Sequence, residues 1–196
     1  GVRVAALDYD QGRLDLAKEL GSEKIINLAD ADAASQAMAL TSGRGCDGIL
    51  IATAAATSEP FEMAAEIARD RATVCLVGLS GTAFPYAAFM KKELSIIVSR
   101  SYGPGRYDED YEDRGIKYPE GFIRWTETEN LAESVRLMSA GLPQRLNVAG
   151  LTTHSFAIEN ADQAYALVME KTEPHMGVLL TYPDVRPAEY PVNFPA

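Results

Sequence analysis

The chain has 196 residues, 47% of them hydrophobic, and a formal net charge of −10. That is enough apolar material for one ordinary domain and part of a second. The acidic balance without a basic cluster speaks against nucleic acid and anionic membrane as partners, and no apolar run approaches the ~18 residues of a spanning helix.

In chain order, Val2–Leu7 predicts a strand that stops on Asp8, and Gln11–Leu20 a helix stopped at Gly21. Lys24–Asn27 predicts a short strand, residues 31–41 a helix, Cys46–Thr53 a strand and Pro60–Arg69 a helix. Ala72–Gly78 and Leu94–Ser99 predict two more strands, with a helical stretch at Tyr86–Lys92 between them. Ile49-Leu50-Ile51, Val74-Cys75-Leu76-Val77 and Ile96-Ile97-Val98 are continuous apolar runs rather than alternations. They predict a parallel sheet covered on both faces, and the βαβ alternation a doubly wound α/β fold over residues 1–100.

From Ser101 the composition changes. Residues 101–129 are rich in Gly, Pro, Tyr and charge and read as an excursion or loop. Residues 130–182 predict a helix over Asn130–Ala140 ended by Gly141 and Pro143, a strand over Gly150–Phe156, an amphipathic helix over Glu159–Lys171 and a strand over Gly177–Tyr182. The second helix places Ala161, Ala164, Tyr165 and Val168 on one face. Residues 183–196 hold four of the ten prolines and read as a linker.

An apolar strand that ends on a carboxylate and runs into a helix is how a dinucleotide fold holds an adenosine ribose, because the carboxylate accepts from both hydroxyls. It also repels a 2′-phosphate, by roughly 4 kcal/mol per charge at ~4 Å and an effective dielectric of ~20 before screening. Asp8 therefore points to NAD before NADP. The alternative is that Asp8 caps the next helix. The glycine turn that receives a pyrophosphate belongs ~20 residues before such an acid, and this chain starts with Gly1, so it reads as starting inside a domain. The G-x-G-x-x-G at Gly43, Gly45 and Gly48 leads from a helix into a strand, the reverse of the phosphate-binding context, and reads as a helix C-terminal turn. Cys46 and Cys75 lack metal-ligand spacing and read as structural thiols of a reducing cytoplasm. His154 and His175 have no Cys nearby.

Taken together, Val4–Asp10, Arg13–Gly21, Ile25–Asn27, Gly43–Gly48, Val74–Gly78, Lys92–Leu94 and Thr153–Phe156 leading to Ala164-Tyr165 resemble the medium-chain, zinc-type alcohol dehydrogenase superfamily. The stretch Ser99–Tyr107, with Tyr118-Pro119 and Arg124–Glu127, resembles a narrower subgroup fused to a Gfo/Idh/MocA-type oxidoreductase domain, often in sugar or polysaccharide metabolism. The resemblance implies a Rossmann-like sheet lacking its first strand, followed by the C-terminal remnant of a catalytic (GroES-like) domain. It implies roles for Asp8 and Arg13 at the adenosine ribose, for Thr53 and Ala54 beside it, and for Gly78 and Leu79 near the nicotinamide. Gly78 would allow close backbone approach there, or serve a plain turn, as would Gly81.

Arg100, Tyr102 and Arg106 follow the last strand of the sheet and offer guanidiniums and a phenol to a substrate, one with an acidic group such as a sugar derivative. Alternatively, Arg100 and Arg106 pair with Asp108, Glu109 and Asp110. Zinc is not expected in this chain, no catalytic acid or base is assigned, and His154 takes no ligand role. Without the first strand, Val2–Leu7 and Cys46–Thr53 lose a shared ladder partner, and the last third should expose apolar surface. The expected function is part of an NAD(P)-dependent oxidoreductase that moves a hydride between nicotinamide and a carbonyl or alcohol carbon. Its expected partners are a small-molecule substrate, an upstream segment and a downstream oxidoreductase domain. A non-catalytic scaffold half and a nucleotide-sugar-binding module are the alternatives.

Overall fold

The computed structural model describes residues 1–139 and 146–183. The helix stop expected at Gly141 and Pro143, and the linker-like tail beyond Pro183, lie outside the described residues. The chain divides into two units, Gly1–Leu137 and Met138–Ala196.

The first unit opens with β1 (Ala5–Asp8), α1 (Gln11–Glu19), β2 (Lys24–Asn27) and α2 (Ala33–Leu40). It continues with β3 (Cys46–Ile51), α3 (Glu59–Ile67), β4 (Ala68–Leu76), α4 (Tyr86–Lys91) and β5 (Ser95–Val98). All its strand pairs are parallel: β1 with β2, then β3–β4–β5 in that order. No ladder joins β1 to β3, so the inner edges of both carry the unpaired backbone groups that the sequence predicts. Packing on the helix side bridges the two ladders instead. Ile26, Ala33, Ala37 and Ile67 form one buried cluster, joined by Leu7 and Ile49. Ala33 and Ala37, one turn apart on α2, are small enough for that helix to sit close against both sheets.

Helices cover both faces of the β1–β2 pair. Leu7 and Ile26 join the α2 cluster; Asn27 points to the other face, where its Nδ2 donates to Gln11 Oε1 of α1 at 3.4 Å. The second ladder differs from the sequence expectation. Ile51 and Val74 pack beneath α3 and α4 with Phe61 and Phe89. The opposite face aligns Leu50, Cys75 and Ile97 in register, and there Leu50 is 75% and Ile97 53% exposed. Apolar runs on β3–β5 suggested cover on both sides, yet among the described residues no helix takes up the second side.

Element ends follow local chemistry. Asp10 caps α1, its side chain accepting from Arg13 N at 3.1 Å. Gly43, at φ +78°, closes α2 with its N–H on the Met38 carbonyl. α3 ends on a half-buried lysine: Lys92 Nζ donates to the carbonyls of Ala65 (2.6 Å), Glu66 (3.2 Å) and Ala68 (2.8 Å). This positive charge satisfies the last carbonyls and opposes the negative helix end. β4 starts immediately after α3, four residues before the predicted strand.

The excursion is ordered. It carries α5 (Glu109–Glu112) and leads into α6 (Glu127–Met138). Glu129 Oε2 accepts from Thr126 N (3.1 Å) and Thr126 Oγ1 (3.2 Å), so a Thr-x-x-Glu start sets α6 three residues earlier than its apolar pattern suggests.

In the second unit β6 (Thr152–Ala157) and β7 (Gly177–Thr181) pair in parallel around α7 (Ala161–Glu170), a small βαβ unit. α7 buries Ala164 and Leu167. The face expected from sequence fails at Tyr165 and Val168, both exposed, because two strands offer cover for only a narrow stripe. The exposed apolar surface expected in the last third is present: Leu131, Val135, Tyr165 and Met169 all face solvent.

Lys92→Met keeps the aliphatic stem but strands three carbonyls at the end of α3. We expect a loss of ~1–3 kcal/mol, read as a lower urea midpoint with an unchanged slope.

Candidate functional site

In open α/β sheets ligands bind outside the carboxyl ends of the strands, where the strand order reverses. Here β1–β2 and β3–β4–β5 form separate ladders whose first strands meet in one apolar cluster, so the rule directs attention to the carboxyl ends of β1 and β3.

Asp8 stands at the end of β1. Its Oδ1 accepts from Asp10 N at 2.9 Å. Its Oδ2 lies 3.9 Å from Arg13 Nη1, and Arg13 Nε is 4.0 Å from Asp10 Oδ2. The helix cap is Asp10 rather than Asp8, whose Oδ2 faces Arg13 without a hydrogen bond and whose side chain is 37% exposed. Arg13 is well solvated and sits between two carboxylates. Immediately after Asp8, the Tyr9 hydroxyl donates to Glu59 in the first turn of α3. That bond lifts the Tyr9 phenol above its ordinary value, first through the hydrogen bond and then through burial and the Glu59 charge.

The structure brings Thr53, Ala54, Gly78 and Leu79 together. Beyond the β3–β4 ladder, Ala54 and Leu79 form an isolated parallel bridge. Leu79 N donates to Thr53 O at 2.8 Å, Ala55 N to Leu79 O at 2.9 Å, and Gly78 N to Ile51 O at 2.9 Å. A Cβ on Gly78 would stand 2.1 Å from the Thr53 oxygen, and one on Gly81 would stand 2.6 Å from Ser58 Oγ. Glycine at 78 therefore serves strand-to-strand approach within the protein.

After β5 the chain coils tightly, with Ser101, Gly103, Gly105 and Tyr107 all at positive φ. Of the three substrate candidates, Arg106 is occupied, while Tyr102 is exposed and its hydroxyl makes no hydrogen bond among the described residues. Arg106 Nη1 donates to Glu112 Oε1 at 2.5 Å, and its guanidinium lies 4.4 Å from the Tyr107 ring centre and 5.8 Å from that of Tyr102. The acid expected to hold Arg106 was Asp108, Glu109 or Asp110. In the structure it is Glu112, because Asp108 receives Tyr118 Oη and the amides of Asp110 and Tyr111, while Asp110 pairs with Arg114. Arg100 makes no ion pair or side-chain hydrogen bond among the described residues, and rests 5.9 Å from the Tyr107 ring centre. It lines an open cleft of about 610 Å³ with Tyr107, Asp108, Glu109 and Tyr118. Tyr118 and the two backbone amides hold the Asp108 carboxyl below the usual carboxylate range, and the Thr126 amide does the same for Glu129.

The remaining sequence candidates lie elsewhere. Gly43 and Gly45 belong to the turn entering β3, at the amino end of the strands, and a Cβ on Gly45 would meet Arg69 N at 2.5 Å. Cys46 and Cys75 are free and half-buried; burial raises the Cys46 thiol, helped by Asp47. His154 is engaged by Thr153 (2.9 Å) and Glu173 (3.3 Å). His175 is half-buried with Nδ1 against the Glu173 carbonyl. Among the described residues no group of three or more His, Cys, Asp or Glu could hold a metal ion.

Residues 1–114 match the family model described as zinc-binding dehydrogenase. An alcohol dehydrogenase of Cupriavidus necator is 25% identical over 166 residues, 84% of this chain and 38% of that protein. Among solved structures, an alcohol dehydrogenase from Thermotoga maritima superposes with a TM-score of 0.66 at 20% identity, over 93% of this chain and 44% of the other. A short chain alcohol dehydrogenase from Escherichia coli CFT073, solved with NADH, gives 0.63 at 22% identity, over 91% and 44%. The likeness to these structures establishes a shared fold, and the chain spans about two-fifths of the length of the curated relatives it matches.

Two outcomes follow from this geometry. Gly78→Ala should cost ~1–3 kcal/mol through overpacking against Thr53, measured by thermal unfolding, with Gly48→Ala, which meets only one atom at 3.9 Å, as the mild control. Asp108 and Glu129 ionise more readily folded than unfolded. Their stabilisation is complete above the usual carboxylate range and is lost as pH falls through their depressed values. Fluorescence of Trp125, the single tryptophan, should therefore report loosening of the excursion below pH ~4, and Asp108→Asn should flatten that transition.

Proposed function

The chain belongs to the zinc-binding dehydrogenase family, and we propose that it supplies the nucleotide-holding part of an NAD(P)-dependent dehydrogenase, with NAD favoured over NADP. The observation that carries this reading is Asp8: a carboxylate at the carboxyl end of β1, where the strand-order rule directs attention, with the helix cap taken by its neighbour. Its carboxylate, with Oδ2 free of hydrogen bonds among the described residues, suits a ribose diol, which offers two O–H donors at the spacing of one carboxylate. Arg13, 3.9 Å away, cancels part of the repulsion that Asp8 alone would exert on a 2′-phosphate. Preference for NAD then rests mainly on the hydrogen bonds that Asp8 accepts, since a phosphorylated 2′-oxygen cannot donate.

The nicotinamide, when bound, gives or takes the hydride at an alcohol or carbonyl carbon. The residues of this chain bind and orient. Asp8 fixes the adenosine end. The bridged segment Thr53–Ala55 with Gly78-Leu79 forms a floor at the carboxyl ends of β3 and β4. Arg100, which makes no ion pair or side-chain hydrogen bond among the described residues and lines an open cleft, is the substrate contact we assign to this unit. Zinc does not fit the described donors, because His154 is committed to Thr153 and Glu173 and no three-ligand group exists among them. Metal chemistry and the proton-transferring groups would belong to other parts of a longer enzyme.

NADH fluorescence titration of the longer enzyme proposed above tests the reading. Asp8→Ala should weaken NADH ~10- to 100-fold, the worth of a charge-assisted hydrogen bond, and should narrow the preference for NADH over NADPH. A folded protein that ignores both nucleotides would remove the dehydrogenase reading and leave a scaffold.

A further inference from the structure

We propose that Tyr9 and Glu59 form a latch across the nucleotide crevice, which an adenine nucleotide must open to seat its base. The proposal rests on the cofactor reading of Asp8 and adds a control element to the same site.

The geometry is specific. Tyr9 directly follows Asp8 at the end of β1, and Glu59 opens α3, the helix that follows the Thr53–Ala55 floor. Their bond links residues fifty apart in sequence. It joins the β1–β2 ladder to the β3–β4–β5 ladder at the carboxyl ends, the side on which those ladders have no strand in common. By the strand-order rule this is where a nucleotide crevice belongs. The base of a ribose held by Asp8 would lie beside the next residue in the chain, in the space that the Tyr9 side chain spans to reach Glu59.

The pieces suit a switch better than a fixed strut. Tyr9 is 56% exposed, so releasing it exposes little new apolar surface. Its ring has no aromatic partner among the described residues, leaving a face open to stack on a purine. Glu59 sits at a helix N-terminus, where its charge is stabilised without Tyr9. Closed, the phenol is held on Glu59 and the base position is obstructed. Open, the same ring lies beside the ribose carboxylate and can cover the base. A closed population lowers the apparent affinity by the fraction of molecules that are open.

The test compares wild type, Tyr9→Phe, Tyr9→Ala and Glu59→Gln in the same protein as the NADH titration. AMP, ADP-ribose and nicotinamide mononucleotide are titrated by calorimetry. Phe removes the bond and keeps the ring, so it should tighten AMP and ADP-ribose by about three- to tenfold and leave nicotinamide mononucleotide, which lacks adenosine, unchanged. Ala removes the stacking surface as well and should bind adenosine ligands more weakly than Phe. Glu59→Gln should fall on the Phe side. Unchanged AMP affinity in Tyr9→Phe, with wild type binding normally, overturns the latch and leaves the cofactor reading standing. An equal shift for all three ligands overturns it as well, pointing to a general structural effect. Absence of AMP binding in wild type and Tyr9→Phe alike, with both folded, overturns the latch and the cofactor reading together.

Discussion

The first unit depends on packing between α2, α3 and the strands beneath them. No backbone ladder connects β1 to β3, so Ile26, Ala33, Ala37 and Ile67, with Leu7 and Ile49, do what hydrogen bonds do elsewhere in the sheet. A strand ladder is directional and would fix both register and spacing. Apolar contact fixes proximity but constrains sliding less. The crevice that receives a ligand by the strand-order rule thus lies where the unit is held from one face and, at the carboxyl end, by the reach of Tyr9 to Glu59. At the other end Arg3 ties only the first half to itself, donating to Glu23 before β2 and to the Leu40 carbonyl at the close of α2.

Much of this was legible in the residues. Parallel strands at β1–β5, the helix-exit role of Gly43–Gly48 and the missing ladder partner all came from apolar runs, glycine placement and the order of elements. The α6 start was legible too, in Thr126 and Glu129, but the apolar pattern drew attention three residues downstream. Cover on both faces of β3–β5 was not legible, because a continuous apolar strand records what its side chains favour and cannot name the segment that meets them. The α7 face failed for a related reason: apolar residues surround much of that helix, so periodicity alone does not choose between Ala164–Leu167 and Ala164–Val168.

At the site, single residues were easier to identify than their pairings. Asp8 is visible as a carboxylate after an apolar strand, and that Asp10 rather than Asp8 caps α1 is a matter of one hydrogen bond. Arg106 and its acid were anticipated as a type of contact, yet the partner is Glu112, selected because a four-residue helix turns that side chain back toward the coil. Gly78 was expected to yield space to a ligand, and it yields space to the Thr53 carbonyl. Tyr9 carried no signal, since nothing in a sequence relates a tyrosine to a glutamate fifty residues away.

The open stripe of Leu50, Cys75 and Ile97 also bears on the life of the polypeptide in a cell. An apolar ribbon beside unpaired strand edges is the kind of surface that chaperones and proteases recognise on unfinished chains. Until something covers that ribbon, the first unit carries the marks of an immature protein while its helix-side core is already closed. Quality control would therefore act on it as a nascent intermediate, and its abundance would follow how quickly the stripe is covered rather than how stable the core is.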